Sequence, residues 1–417
     1  MIRTITVYEH AVLRTDVLSR AELKTLQEFH GTGENFPYFT LVHNGVKFCS
    51  YVGVLRVGHL TIEILPKTDR HLAETAGEED FWRSRLLDML RVAHDLPVHA
   101  PSTSHLHSRP NEVLHLYLEI FLRQLESLHR RGLHRAYHGE RTNATSLSGR
   151  LLFAEQLRHN LVHKERFFVA RDRFDFATPH NQILRMGLAL ATRLNERHDL
   201  APRFAGLLAA WPELEEVPVS EAFFQHLRYD RATRDYRPAV AIARLLLLRH
   251  HPSLRGGNQD LLALLFDANR LWETFLERTL RRHLPDLRVT GQSSTPYWRS
   301  DRHGASTLRP DITISDAAGN TLAILDAKWK VPRNERPGSG DLQQLYTYAY
   351  YLNVPKVALL YPVTAARPQV QGRFLKSKEG GGRSCDVLFL PISPGRSGRE
   401  WQRLLGEAIA RWLVERK

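Results

Sequence analysis

Asp311, Asp326 and Lys328 are the residues whose types and spacing could do chemistry. Arg309-Pro310-Asp311-Ile312-Thr313-Ile314-Ser315 is followed, after a turn at 316–320, by the stretch from Thr321 to Lys330, which carries Asp326-Ala327-Lys328. Two consecutive strands account for this pattern. In the second, side chains alternate between faces, so Asp326 and Lys328 share one face and Ala327 and Trp329 the other. Apolar residues precede them on both faces, as in a central strand covered on both sides, where a charged pair needs a partner or a metal. A hairpin brings Asp311 beside them. Two carboxylates on adjacent strands, with the backbone carbonyl of Ala327 nearby, are the hard oxygen donors that Mg2+ prefers, with Mn2+ as an alternative. Such a cation lowers the pKa of water and neutralises charge developing on a phosphoryl oxygen, while Lys328 orients the water or stabilises the pentavalent transition state. That chemistry is phosphodiester hydrolysis.

The flanking elements must position these groups. Upstream, Asn258 is expected to cap a helix whose Leu261, Leu264, Leu265, Ala268, Leu271, Trp272, Phe275 and Leu276 form one apolar stripe before Pro285. Glu273 lies at the edge of that stripe and is the candidate third acid and further metal ligand; Glu277 lies further round, toward solvent. Asn269 is one turn earlier on the same face as Glu273. The competing reading of Glu273 is a surface glutamate with a basic neighbour. Downstream, Asp341 opens a helix running to about Leu352, ahead of a strand at 356–361. Gln344 and Tyr348 share one face of it. If it packs beside the hairpin, Gln344 holds the scissile phosphate or a metal-bound water and Tyr348 supports it; the competing reading makes Tyr346, Tyr348, Tyr350 and Tyr351 packing residues.

The expected fold class is multidomain α+β in three parts. Residues 1–98 read as a small β-rich domain, with hairpins turning at Asn44-Gly45 and Gly58-His59. The segment from Pro97 to Pro110 reads as a linker. Residues 110–250 read as a mainly helical region; its least regular part carries Arg130, Arg131, Arg135 and Arg141, a candidate grip on nucleic acid or on a partner's acidic surface, the alternative being a solvated basic face. Residues 257–417 read as an α/β domain with a mixed sheet that should fold by itself. The net charge of +13 and pI near 9.9 favour a polyanion, nucleic acid first. Cys49 and Cys385 are the only cysteines, so no disulfide framework or cysteine zinc site is encoded. A cytoplasmic location is expected, with no membrane partner, because no apolar run reaches the roughly 20 residues of a span. A zinc site on His94, His99, His105 and His107 is conceivable, but no His-Glu-x-x-His accompanies it.

At this point the chain resembles the McrC family, the nuclease subunits of McrBC-type modification-dependent restriction systems, within the PD-(D/E)xK superfamily. The resemblance rests on Asn269 and Glu273, Asp311, Asp326-Ala327-Lys328, and Asp341, Gln344 and Tyr348, in the family's order. Ile62-Glu63-Ile64-Leu65-Pro66-Lys67 and Leu147-Ser148-Gly149-Arg150-Leu151 also look like family landmarks. It implies a PD-(D/E)xK endonuclease domain in 257–417 acting on double-stranded DNA. It also implies a partner, an McrB-like AAA+ GTPase hexamer, engaged by the N-terminal part, whose hydrolysis the chain stimulates. The chain has no Gly-x-x-x-x-Gly-Lys-Ser/Thr loop, so no nucleotide is expected on it; Gly380-Gly381-Gly382 is only a glycine loop. The rival readings are a catalytically silent ring activator or scaffold, disfavoured by the intact Asp311, Asp326 and Lys328, and a repair nuclease without a motor, disfavoured by the long portion before Gly257.

Overall fold

The computed structural model describes residues 3–30, 38–68, 77–94, 112–251, 261–299, 304–375, 382–392 and 397–415. The expected linker, Asn258, His99, His105, His107, Gly380 and Gly381 lie outside these residues. The chain is a mixed α/β protein. Two compact units form, one from residues 1–113 together with 256–417 and one from 114–255. The first and last of the three expected segments therefore share a unit.

In that first unit, both expected hairpins are present. Phe39–Val42 pairs antiparallel with Gly45–Phe48 across Asn44, whose φ of 52° suits the tight turn. Tyr51–Val57 pairs with Leu60–Leu65 across Gly58. Leu60–Leu65 also pairs in parallel with Arg3–Tyr8, so a sheet grows on both sides of it. On its other edge Tyr51–Val57 takes Leu261–Asp267 as an antiparallel neighbour. This corrects the expectation of one helix starting at Asn258. The run Leu-Leu-Ala-Leu-Leu-Phe is apolar at every position and has no period that separates a buried strand from a buried helix. The open edge of Tyr51–Val57 decides in favour of a strand. Gly53 records the pairing: its φ is +131°, and a Cβ there would stand 2.1 Å from the Leu264 carbonyl oxygen. The helix begins only at Ala268, capped by the Asp267 carboxylate, which accepts from the N–H groups of Asn269 and Arg270.

The helix Glu78–Ala93 is tied to this sheet by a buried ion pair. Glu63 points inward from the strand, and Arg83 answers it with Nη2 at 2.7 Å and Nε at 3.0 Å from both oxygens. Within the landmark segment, Lys67 pairs with Glu78 at 3.4 Å.

The second sheet of the unit runs in the order Arg288–Gly291, Ile312–Ser315, Thr321–Ala327, Lys356–Val363, Ser384–Pro391. Its first three strands are antiparallel neighbours and its last three parallel ones, so it is the mixed sheet expected, with Thr321–Ala327 in the middle. Helix Ser339–Tyr351 supplies Leu345, Tyr348 and Ala349 to a core with Ile324, Val357, Leu359 and Tyr361. Trp329 instead meets Trp272 of helix Ala268–His283 at 5.5 Å and Trp82 of helix Glu78–Ala93 at 6.4 Å. Trp401, from helix Gly398–Val414, stacks on Phe275 at 4.6 Å and closes the cluster.

The second unit packs helices Glu112–Arg131, Pro179–Leu194, Ala201–Ala210 and Arg237–Leu248, in keeping with its helical reading. It also holds a small sheet of Ala136–Ala144, Phe167–Asp175 and Arg150–Leu151. The first of these strands was part of the irregular basic run, and it escaped detection because neither of its faces is deeply buried, so no apolar alternation marks it. Among the described residues no helix is long and apolar enough to cross a membrane.

Two outcomes follow from the packing. Arg83→Ala leaves the Glu63 carboxylate buried without its cation and should cost about 3–5 kcal/mol in urea unfolding of the full chain; a loss below about 1 kcal/mol would show that the pair does not tie the helix to the sheet. A fragment starting at Arg255, expected from sequence to fold alone, should aggregate, because the Leu261–Asp267 strand loses its neighbour Tyr51–Val57 and Trp329 loses Trp82 and Glu9; a monomeric, cooperatively melting fragment would contradict this.

Candidate active site

The antiparallel register pairs Ile312 with Leu325, so one step further Asp311 stands opposite Asp326. Asp311 is fixed by its Oδ2, which accepts from the Ala327 N–H at 2.9 Å. Asp326 is fully buried, 0% exposed. Lys328 Nζ lies 2.6 Å from Asp326 Oδ2, an ion pair by distance, yet neither oxygen of Asp326 makes a well-aligned hydrogen bond. Lys328 sits just past the strand end, where its N–H donates to the Leu360 carbonyl at 2.9 Å. Its ammonium also donates to Gln344 Oε1 at 3.2 Å, Gln344 Nε2 donates to the Tyr348 hydroxyl at 2.8 Å, and that hydroxyl donates to the Arg309 carbonyl at 3.1 Å. The chain of bonds thus returns to the strand that carries Asp311. Asp341 stands at the start of the same helix, accepting from Lys330 at 2.7 Å and from the Tyr361 hydroxyl at 3.2 Å.

Glu273 comes to the same place from helix Ala268–His283. Its link is Gln292, whose Nε2 donates to Glu273 Oε2 at 2.9 Å and to Asp311 Oδ1 at 3.3 Å, while its backbone N–H donates to the Asp311 carbonyl at 3.0 Å. Gln292 has a φ of 54°, a left-handed conformation that costs a non-glycine residue about 1 kcal/mol or more. Sequence reasoning missed it. A lone glutamine carries no motif, and the only local signal is the preceding Gly291 where a strand must end. Glu277 is turned away, paired with Arg281 and packed on Gly291. Asn269 lies in the first turn of the helix and is engaged there through its backbone N–H. The four arginines of the second unit meet different neighbours. Arg131 pairs with Asp235 at 3.1 Å, Arg130 donates to the Glu126 carbonyl at 3.3 Å, Arg135 lies over the Phe176 ring at 4.2 Å, and Arg141 is exposed on its strand.

Electrostatics follow from three carboxyls sharing one ammonium. Burial pushes the Asp326 carboxyl up to about 7, with Asp311 adding to the rise and Lys328 opposing it. Burial likewise pushes Glu273 up to about 7, reinforced by the charges of Asp311 and Asp326. Burial also raises Asp311, against the Ala327 N–H and Lys328. Among the described residues no three His, Cys, Asp or Glu side chains stand as a ready-made metal ligand set. The donor chemistry nevertheless fits a hard divalent cation: Asp326 has two buried oxygens with spare acceptor capacity, and Asp311, across from it in the register, is linked to Glu273 by a single amide.

The fold and site define a mixed α/β protein with an acidic cluster and a lysine at one end of its central hairpin. This chain belongs to the McrBC 5-methylcytosine restriction system component family, whose model matches residues 46–362. Among solved structures it is similar to a chain in the refined half-complex from the tetradecameric assembly of Thermococcus gammatolerans McrB AAA+ hexamers with bound McrC. That match has a TM-score of 0.69 at 19% identity and covers 98% of this chain and 100% of that one, which shows a shared fold. A second match, in the cryo-EM structure of the Thermococcus gammatolerans McrBC complex, has a TM-score of 0.49 at 18% identity over 84% of this chain and 99% of that one. Comparison with curated proteins gives no match.

The raised carboxyls set a pH dependence. Their folded values lie above the roughly 4 of an unfolded chain, so the folded protein binds the extra protons, and stability falls as pH rises from about 4 through about 7. In a chelator, the melting temperature should therefore drop across this window. Glu273→Gln removes one of the repelling charges and should raise stability at pH 8 by about 1 kcal/mol while flattening the slope. A variant with the wild-type pH slope would show that Glu273 does not titrate with the cluster.

Proposed function

We propose that this chain is the metal-dependent endodeoxyribonuclease subunit of an McrBC-type restriction complex. In this reading residues 257–417 supply a PD-(D/E)xK nuclease, which cuts double-stranded DNA when assembled with an AAA+ GTPase ring whose hydrolysis the chain stimulates. The observation that carries the reading is the convergence of Asp311, Asp326 and Glu273 on Lys328 at the end of one hairpin. The partner is supported by membership of the McrBC family and by the fold shared with a chain from an assembly of McrB hexamers with bound McrC. The portion before residue 257 is then the part that engages the ring.

Asp311, Asp326 and the Ala327 carbonyl, with Glu273, would hold Mg2+ or Mn2+, which supplies Lewis acidity at the phosphoryl group. Lys328 is steadied between Asp326 and Gln344 so that its ammonium faces the site, where it stabilises charge growing on the phosphoryl oxygens. Gln344 is kept in place by Tyr348, and Tyr348 by the Arg309 carbonyl, two residues before Asp311. Gln292 sets the spacing of Glu273 and Asp311. The +13 charge draws in the phosphate backbone without reading sequence, so target choice is left to the partner.

The deciding experiment is co-purification with the neighbouring AAA+ gene product, followed by cleavage of methylated and unmethylated DNA with Mg2+ and GTP. Asp311→Ala and Asp326→Ala should abolish cutting while leaving the protein folded and ring-bound; wild-type rates in either would refute the assignment. Lys328→Ala should lose cutting yet keep Mg2+ binding in calorimetry, since an ammonium is no ligand. Gln292→Gly keeps the left-handed backbone without strain and removes only the amide. It should weaken Mn2+ binding about tenfold or more with no loss of melting temperature, and unchanged affinity would remove Gln292 from the site.

A further inference from the structure

Between Gln292 and Asp311 the chain leaves the sheet and returns as a two-stranded ribbon, Thr295–Trp298 paired with Ser306–Leu308. Its two legs start and end at the acidic cluster: Thr295 is three residues after Gln292, and Leu308 three before Asp311. The pairing slips between Pro296 and Trp298, a bulge of the kind that re-aims side chains. Tyr297 and Trp298 are consequently both exposed, at 47% and 54%. The ribbon is braced from helix Ser339–Tyr351: the Tyr351 hydroxyl donates to the Pro296 carbonyl at 3.1 Å, and the Tyr351 ring meets Tyr297 edge-on at 6.2 Å. Among the described residues Trp298 makes no aromatic ring contact, and about half of its surface is open to solvent.

We propose that this ribbon is a DNA-contact element, in which Tyr297 and Trp298 pack against bases or sugars beside the cleaved bond and Arg299 and Arg309 hold flanking phosphates. It rests on the nuclease reading. The two arginines are exposed, and residues 293–299 and 304–310 contain no carboxylate, so the surface suits a polyanion. Flat aromatic rings interleaved with guanidinium groups are the chemistry that takes up bases and phosphates together. Reach agrees: six residues from Gln292 to Trp298 span at most about 20 Å, so the indole stays within about six base pairs of the acidic cluster.

The test uses the full-length chain with Tyr297→Ala, Trp298→Ala and Trp298→Phe. Binding to duplex DNA is read by anisotropy at fixed salt, binding to the GTPase ring by co-purification, and cutting by the assembled complex with Mg2+ and GTP. Trp298→Ala should weaken DNA binding about tenfold and raise KM more than it lowers kcat, and Trp298→Phe should recover most of the loss. Ring binding and melting temperature should not change. If the wild-type complex cuts DNA and Trp298→Ala binds and cuts like it, the ribbon is not a contact element and the nuclease reading survives. If instead ring binding falls while DNA binding holds, the aromatics face the partner protein and the proposal fails. A wild-type complex that does not cut removes the nuclease reading and this one together.

Discussion

A carboxylate without exposed surface sits on the middle strand of a five-stranded sheet, and the surrounding architecture depends on keeping it there. Isolated in an apolar interior, Asp326 would be costly in its charged form. Its neighbours answer that cost in a definite order. Lys328, two residues on and on the same face, supplies the opposite charge. Gln344 and Tyr348 then keep the lysine from swinging away. Asp311 and Glu273 add like charge to the same spot, which the Ala327 N–H, the Gln292 amide and the Lys328 ammonium offset. A cluster with such an excess of negative charge is held by its scaffold against its own repulsion, a common condition of sites built for function.

The scaffold that resists this repulsion extends well beyond the sheet that carries the acids. Trp329 follows Lys328 directly and is clamped between Trp272 and Trp82, while its indole N–H donates to Glu9 at 2.7 Å. Glu9 also accepts from the Lys67 N–H at 3.0 Å. The end of the central strand is therefore fastened to Glu9, just past Arg3–Tyr8, and Glu9 is held in turn at the end of Leu60–Leu65. Together with the Leu261–Asp267 strand, these contacts place the two sheets in one compact unit.

How much of this was legible in the sequence depended on whether a signal was local. The hairpins at Asn44-Gly45 and Gly58-His59, the two strands bearing Asp311 and Asp326, and the helix bearing Gln344 and Tyr348 all rest on turn chemistry or periodicity within about 15 residues, the range over which such patterns speak. Leu261–Asp267 failed because a uniformly apolar run is equally at home in a helix, and the open edge that claims it belongs to residues 51–57. The strand Ala136–Ala144 failed because one face is only half-buried and the other exposed, so its alternation carries no apolar mark.

The acidic residues themselves, their strands and the lysine two places on were determined by the sequence alone, because side-chain alternation along a strand is a property of the covalent chain. Which carboxylate stands across from Asp326, and at what distance, was decided by register. The apolar stripe of the helix already favoured Glu273 over Glu277, and the packing of that helix on the sheet decided that its carboxylate meets Gln292. Gln292 became visible only when Glu273 and Asp311, 19 residues away on either side, were brought within reach of one amide. Its role lies in a distance between groups remote in sequence, and such distances exist only once the chain has folded.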